Sequence, residues 1–273
     1  MRNINTKKEW KLLKKCEKNA HTGISAKQRF IELLDILPKL NQPKKILDVG
    51  GNFATARWFR EKFPFSEITI LNKSDKELGS YPNIILANAE NFKTKEKYDL
   101  VFCGETIEHT YNPDGLLASC LLALKPNGYF IITTPNLACL PNRIFLLLGW
   151  SIANYSPSLR YTTGNPYLRN RLDGFGFVGD HKSLFTWQGF KELLEKYNFQ
   201  IIAARGFNYA QNGKIQIIGK RYIKIPMNRF RRTLNYILPQ SLKEGMLFVC
   251  QAPQTLNKKD IMESIIKEDL WGL

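Results

Sequence analysis

Cysteine is scarce and unpatterned in this sequence of 273 residues, which contains five. They are Cys16, Cys103, Cys120, Cys139 and Cys250, and no two of them have the spacing of a metal-binding or redox motif. An odd, scattered set excludes a disulfide-stapled scaffold and a zinc ribbon, and it fits a reducing compartment. We therefore expect a cytoplasmic protein.

The sequence also lacks long apolar runs and a nicotinamide-binding loop. No segment approaches the roughly 20 apolar residues that cross a bilayer. The lysine-rich N-terminus has no apolar stretch of the signal-peptide kind. A GxGxxG loop is absent as well, which excludes the usual dinucleotide fingerprint. These absences predict a protein that is soluble or at most peripheral to a membrane.

Acidic residues are few: 24 Asp and Glu oppose 40 Lys and Arg, giving a formal net charge of +16. Such a charge favours acidic partners, namely nucleic acid, anionic lipid headgroups or a phosphorylated substrate. An AT-rich genome would produce the same excess without any such partner. Residues 207–243 carry eight basic side chains and no acidic one. We expect a solvated face there, with contact to RNA phosphates or lipids as the alternative.

Short apolar runs alternate with helical periodicity along most of the chain. Strands are predicted at KKILDV, EITIL, NIILA, YDLVFC, YFIITT, residues 199–206 and GMLFVCQ. Helices are predicted at 6–20, 26–38, 113–125 and 187–197. Alternation of this kind is typical of an α/β fold with a parallel sheet covered by helices. No internal repeat interrupts the pattern.

The same pattern divides the chain into three parts. We expect an N-terminal helical arm at 1–40, a principal domain at 41–253 and a C-terminal helical tail at 254–273. Within the domain, residues 137–186 form a long lid insert over the acceptor pocket, and residues 207–243 form the basic insert. The apolar segment 139–150 is expected to pack as part of the lid. Its alternative is an interfacial helix that dips into a membrane.

The segment ILDVGGNFATARWF combines a buried strand, a glycine turn and a helix. This arrangement brings backbone amides and a helix N-terminus close to a ligand. Asp48 precedes Gly50 and Gly51, and its carboxylate can pair with the ammonium group of an amino-acid moiety.

A second group of polar residues follows the fourth predicted strand, in YDLVFCGETIEHTYNPDG. The carboxyl ends of parallel strands are where open α/β sheets bind ligands. A helical turn after Cys103 would place Glu105, Glu108 and His109 on one face. The chain has three histidines, and His181, in GDHKSLFT, is the second expected to face this site.

These segments, in this order over residues 40–253, resemble class I S-adenosylmethionine-dependent methyltransferases, whose first motif is usually LDVGCGxG. Asn52 and Ala54 stand where that motif has glycines. The resemblance implies a Rossmann-like, doubly wound seven-stranded sheet with its last strand antiparallel. It places S-adenosylmethionine against Asp48, Gly50, Gly51, Asn52, Asn72, Asn88, Ala89, Cys103 and Glu105.

An ExxEH element with a later histidine binds a divalent metal in ubiquinone-pathway O-methyltransferases and in methyltransferases acting on the terminal ribose of small RNAs. By that resemblance Glu105, Glu108, His109 and His181 hold Mg²⁺ or Zn²⁺. Without a metal, His109 or His181 serves as general base, with Glu108 fixing its tautomer.

The preferred function is O-methylation of a small-molecule, glycan-linked or lipid-linked hydroxyl acceptor. RNA ribose 2′-O-methylation is one alternative, favoured by the charge. A non-catalytic binding protein with a degenerate site is the other, because Asn52, Ala54, Asn72 and Asn88 replace the usual glycines and acids. The oligomeric state is left open.

Overall fold

The structure is a computed structural model, and it describes residues 25–34, 36–37, 40–75, 78, 81–155, 158, 163–166, 181–208, 214–217, 221–224 and 237–255. The helix predicted at 6–20 and nearly all of the predicted tail, 256–273, lie outside these residues. Within the described ranges, no helix has both the length and the apolar character needed to cross a bilayer.

Seven strands form one sheet in the order β3-β2-β1-β4-β5-β9-β6. They are β1 (Lys45–Val49), β2 (Glu67–Asn72), β3 (Ile84–Leu86), β4 (Tyr98–Gly104), β5 (Leu124–Pro135), β6 (Gln200–Phe207) and β9 (Gly245–Gln251). Strand β9 runs antiparallel to both of its neighbours, while the pairs among β1 to β5 are parallel. The predicted seven-stranded sheet with an antiparallel last strand is confirmed.

Helices cover both faces of this sheet. They are α1 (Ser25–Leu33), α2 (Phe53–Lys62), α3 (Pro113–Ala123), α4 (Leu140–Leu147) and α5 (Trp187–Lys196). One apolar core lies between the sheet and helices α1 and α2, and a second lies between the sheet and helices α3 and α5. This division into two cores is the doubly wound arrangement.

The parallel strands β1, β2, β4 and β5 end at one edge of the sheet. At that edge the N–H of Gly50 donates to the carbonyl of Leu71 at 2.8 Å, and the N–H of Glu105 donates to the carbonyl of Thr133 at 3.0 Å. The first bond holds the loop after β1 against β2, and the second holds the loop after β4 against β5. The hydroxyl of Thr106 donates to the carbonyl of Val49 at 3.3 Å, which joins the two loops. The two polar segments singled out in the sequence therefore meet at the end of the sheet where ligands bind in such folds.

Two features differ from the expectation. Helix α3 ends at Ala123, and the KPNG segment is part of β5, where the β4–β5 register shifts between Tyr98 and Leu100. The basic insert contains a hairpin of β7 (Lys214–Ile217) and β8 (Arg221–Lys224), which was not predicted. Charged residues in these two strands obscure the alternation of apolar and polar residues that would indicate a hairpin.

Candidate functional site

Two glycines shape the turn after β1. Gly50 has a φ of +69°, a left-handed conformation that favours glycine, and a Cβ there would overlap the side chain of Thr106. A Cβ on Gly51 would overlap the carboxylate of Asp48. Both positions therefore require glycine because the turn packs closely against Thr106 and Asp48, and cofactor contact by the two glycines stays a prediction.

Asp48 lies beneath this turn with only 1% of its surface exposed. The hydroxyl of Thr55 donates a hydrogen bond to its carboxylate. Burial raises the pKa of Asp48 from 3.8 to about 7, against the opposing effects of the Thr55 hydrogen bond and the positive charge of Arg29. A bound cation would favour the ionised form, so the site suits an ammonium group.

Asn52 acts as the N-cap of α2. Its side chain accepts from the N–H groups of Ala54 and Thr55 at 2.9 and 3.1 Å, and the Thr55 hydroxyl accepts from the Asn52 N–H. Its φ of −140° needs no glycine. Asn52 thus replaces a usual glycine without strain and fixes the helix start, where N–H groups face a ligand.

Asn72 and Asn88 both hold backbone turns. The amide of Asn72, at the end of β2, donates to the carbonyl of Gly51 at 3.0 Å. The exposed side chain of Asn88 accepts from the Glu90 N–H at 3.1 Å, and the neighbouring Ala89 packs against the core. Asn72 therefore lies beside the turn, and cofactor contacts from Asn88 and Ala89 stay predictions.

Glu105 does not lie on a helix with Glu108, so the expected shared face is wrong. The helix after β4 is one 3₁₀ turn at Ile107–His109, and Glu105 precedes it with a φ of 53°. A left-handed non-glycine residue is uncommon and is often found at functional sites. Its carboxylate lies 4.0 Å from a guanidinium nitrogen of Arg29.

Sequence reasoning missed Arg29. It projects from α1, is 6% exposed, and its guanidinium packs over the rings of Phe30 and Phe102. Within the described part of the chain, its buried Nε has no hydrogen-bond partner. A signal was available, because Arg29 stands four residues before Leu33 on the apolar side of the predicted helix. Its charge between Glu105 and Asp48 makes it a candidate for binding an anionic group.

The side chain of Cys103 is less accessible to a cofactor than predicted. Its thiol is buried in the core on the α3 side of the sheet, where it is hydrogen-bonded with Cys120. That hydrogen bond and burial raise the pKa of Cys103 well above its ordinary range. Any contact with a cofactor would therefore have to come from its main chain.

Glu108, His109 and His181 come together as the sequence predicted. One potential ligand atom from each lies within 4.8 Å of the others. The two imidazole rings are 4.9 Å apart between centroids and meet edge to face. Glu105 stands outside this group of three, so its place as a fourth metal ligand remains a prediction.

Glu108 is buried, with 1% of its surface exposed. Burial raises its pKa well above the ordinary range, and the negative charge of Glu105 adds to the effect. The hydroxyl of Thr134 hydrogen-bonds with its Oε2 at 3.2 Å. Both effects favour the neutral form of the carboxyl group relative to an exposed glutamate.

The segment that carries His181 is held against the 3₁₀ turn by its backbone. The N–H groups of Lys182 and Ser183 donate to the carbonyl of Glu108 at 2.6 and 3.1 Å. The Nδ1 of His181 lies 2.6 Å from the carbonyl oxygen of Asn154. A carbonyl can only accept, so Nδ1 carries a proton, and in the neutral ring the lone pair is on Nε2.

Asn142 positions the Asn154 carbonyl that contacts His181. It is fully buried on α4, where its amide donates to Leu137 O and to the side chain of Asn154, both at 2.8 Å. The side-chain oxygen of Asn142 accepts from the N–H of Ala153 at 2.9 Å. The loop after α4 is thereby fixed, and with it the tautomer of His181.

The sequence matches a protein-family model described as a methyltransferase domain, over residues 24–204. The match begins inside the predicted arm, 1–40, and includes helix α1 with Arg29.

Curated relatives are ubiquinone biosynthesis O-methyltransferases. The one from Photobacterium profundum is 34% identical over 104 residues, which cover 34% of this chain and 44% of that protein. The chain thus spans less than half of the length of that relative. The one from Rickettsia typhi is 28% identical over 237 residues, covering 78% of this chain and 87% of that protein.

Solved structures share the fold. An S-adenosylmethionine-dependent methyltransferase from Mesorhizobium loti superposes with a TM-score of 0.53 at 18% identity, covering 84% of this chain and 100% of that chain. A putative methyltransferase from Bacillus halodurans gives 0.51 at 14% identity, covering 82% and 98%.

Proposed function

We propose that this chain, which belongs to the methyltransferase-domain family, transfers a methyl group from S-adenosylmethionine to a hydroxyl oxygen of a small-molecule or lipid-linked acceptor. The observation that carries the proposal is the pairing of two sites at one edge of the sheet. The glycine turn with Asp48 and Arg29 lies beside the group formed by Glu108, His109 and His181.

The first site fits the two ends of an amino-acid moiety. Asp48 offers a carboxylate for an ammonium group, and Arg29 offers a buried guanidinium with an unused Nε for a carboxylate. Gly50 and Gly51 let the turn pack closely over Asp48 and Thr106, where a Cβ would collide with these side chains. When bound, S-adenosylmethionine supplies an electrophilic methyl group on a sulfonium. Asp48 and Arg29 hold the cofactor in place so that this methyl group is oriented.

The second site supplies the base. His181 has its tautomer fixed by the Asn154 carbonyl, so its Nε2 can accept the proton of an acceptor hydroxyl. His109 packs against the same ring, and the buried carboxyl group of Glu108 can form a hydrogen bond with the acceptor. His181 would take the hydroxyl proton as the oxygen forms its bond to the methyl group, and the methyl–sulfur bond would break to leave a neutral thioether.

The same three residues could hold a divalent metal. Two imidazoles and one carboxylate suit Zn²⁺ better than Mg²⁺, which prefers oxygen ligands. Binding would displace the proton that burial favours on Glu108. A bound ion would lower the pKa of an acceptor hydroxyl and orient a vicinal diol. Retention of zinc by the purified chain, and its loss in Glu108→Gln, would support this part of the proposal.

The departures from the usual motif do not favour a non-catalytic binding protein. Asn52 caps α2 and Asn72 holds the turn, so each replacement has a structural role in the loop.

RNA ribose methylation is a second candidate, favoured by the net charge of +16. The curated relatives act in ubiquinone biosynthesis, and their name favours a small aromatic hydroxyl over RNA.

Radiolabelled S-adenosylmethionine tests the proposal against a panel of catechols, hydroxylated lipids and transcribed RNA. We expect label on the oxygen of a small or lipid-linked acceptor, and almost none with His181→Ala. Salt-sensitive labelling of RNA alone would support the second candidate. Label on nitrogen or carbon would contradict O-methylation.

A further inference from the structure

Helix α4 and the turn that follows it leave a cluster of large aliphatic side chains in contact with solvent. Ile144 is 46% exposed, Leu146 60%, Leu147 86% and Leu148 54%. Among the residues of α4, Asn142 alone is buried. The expectation that this segment packs its apolar face as a lid is therefore wrong. Contiguous exposed apolar groups of this kind mark a surface that contacts something else.

Three of the exposed aliphatic side chains are neighbours on the helix. Ile144, Leu147 and Leu148 have spacings of three and four residues, and Arg143 stands next to them. Leu146 lies one turn after Asn142, through which the helix is anchored to the rest of the protein. The helix therefore presents these residues on a fixed support, and we call Arg143 to Leu148 the aliphatic face.

The charge of the aliphatic face favours an anionic partner. Arg143 is exposed on the helix, and the sequence has no Asp or Glu between Gly115 and Leu172. Exposed aliphatic side chains beside an arginine fit the boundary between headgroups and acyl chains of an anionic membrane. A second copy of the chain fits poorly, since two molecules of charge +16 repel each other.

We propose that the aliphatic face docks on an anionic lipid surface, with Leu147 inserted at the acyl boundary and Arg143 at the headgroups. A helix of eight residues is too short to span a bilayer, so it lies in the interface. Asn142 and Asn154 connect it to His181. Docking therefore brings the site to the membrane, where a lipid-linked acceptor would be. This last step rests on the proposed function, whereas the docking does not.

Flotation of the full chain with lipid vesicles tests the proposal. The vesicles contain phosphatidylglycerol and phosphatidylcholine in equal parts, and a second set contains phosphatidylcholine alone. We expect the wild-type chain to float with the anionic vesicles and much less with the neutral ones. Leu147→Glu should lower the partition coefficient by about tenfold or more, because it replaces an inserted leucine with a repelled charge.

Phe65→Glu is the matched control. Phe65 is 91% exposed in the connection between α2 and β2, so the variant makes the same change of charge away from the aliphatic face. It should float like the wild-type chain. Circular dichroism and S-adenosylmethionine affinity should be unchanged in both variants, which separates docking from folding and from the proposed function.

Equal flotation of Leu147→Glu and the wild-type chain would overturn the proposal, since the basic residues elsewhere would then account for binding. So would a wild-type chain that does not float but dimerises in a way that Leu147→Glu abolishes. In that case a second copy covers the aliphatic face. If no variant binds S-adenosylmethionine while flotation behaves as expected, the proposed function fails and the docking stands.

Discussion

We expect Asp48→Asn to change how the free energy of unfolding varies with pH. Burial raises the pKa of Asp48 to about 7 in the folded chain, from an ordinary value of 3.8. A difference of about three units corresponds to roughly 4 kcal/mol between the two protonation states. The folded state holds this proton more tightly than the unfolded state. The contribution to stability is therefore fully present below about pH 4 and is lost as pH rises to about 7.

Between about pH 5 and pH 8 the wild-type chain should lose roughly 2 to 3 kcal/mol that Asp48→Asn retains, because an amide does not ionise. Urea denaturation across this pH range measures the difference between the two curves. Thr55 remains in place to donate to the new amide oxygen, so the local structure should be kept.

Asp99→Asn is the control for this measurement. Although its partial burial acts in the opposite direction, hydrogen bonds from Lys125 and from backbone N–H groups lower the pKa of Asp99. Asp99 therefore titrates below about pH 5. The stability curve of Asp99→Asn should run parallel to that of the wild-type chain from about pH 5 to pH 8. Parallel curves for Asp48→Asn and the wild-type chain would refute the assignment of a buried, proton-binding Asp48.

Three further predictions concern the site. His109→Ala should lower turnover by about a hundredfold while the dissociation constant for S-adenosylmethionine changes little, as steady-state kinetics and calorimetry would measure; normal turnover would remove it from the mechanism. Asn142→Ala should let the two neutral tautomers of His181 mix, with reduced turnover; nitrogen NMR shifts that still report a single Nδ1–H form would contradict its positioning role. Gly51→Ala should lower the melting temperature and abolish cofactor binding, because its Cβ overlaps the Asp48 carboxylate; an unchanged melting curve and affinity would count against the crowded turn.

The sheet could be predicted because each strand is a short apolar run bounded by turn residues. The KILDV and YDLVFCG segments are central strands whose side chains are almost all buried, so their apolar character is continuous and easy to recognise. The β7–β8 hairpin could not be recognised in the same way. Its four-residue strands contain lysine and arginine, and such strands give no clear apolar alternation.

The candidate site was predictable where chemistry and local geometry coincide. Gly50 and Gly51 follow from the demands of a tight turn, and His181 was expected beside Glu108 and His109. Arg29 was missed because its contacts are made across a long stretch of chain, which local patterns do not report.

Three other expectations failed for physical reasons. Glu105 adopts a left-handed conformation that helical spacing does not anticipate. Asn52 departs from the glycine of the usual motif, and the sequence reasoning did not anticipate that its side chain caps α2. The aliphatic residues of 139–150 were expected to pack as part of a lid, but those of α4 are largely exposed, and apolar character alone does not tell whether a side chain is buried.

Calorimetric titration of the full chain with S-adenosylmethionine tests the central claim most directly. We predict one cofactor bound per chain, with affinity that rises as pH increases through about 7, and with binding strongly weakened in Arg29→Met and Asp48→Ala. A folded wild-type chain that gives no binding heat, or variants that bind as well as the wild-type chain, would contradict the claim that the turn after β1 holds this cofactor.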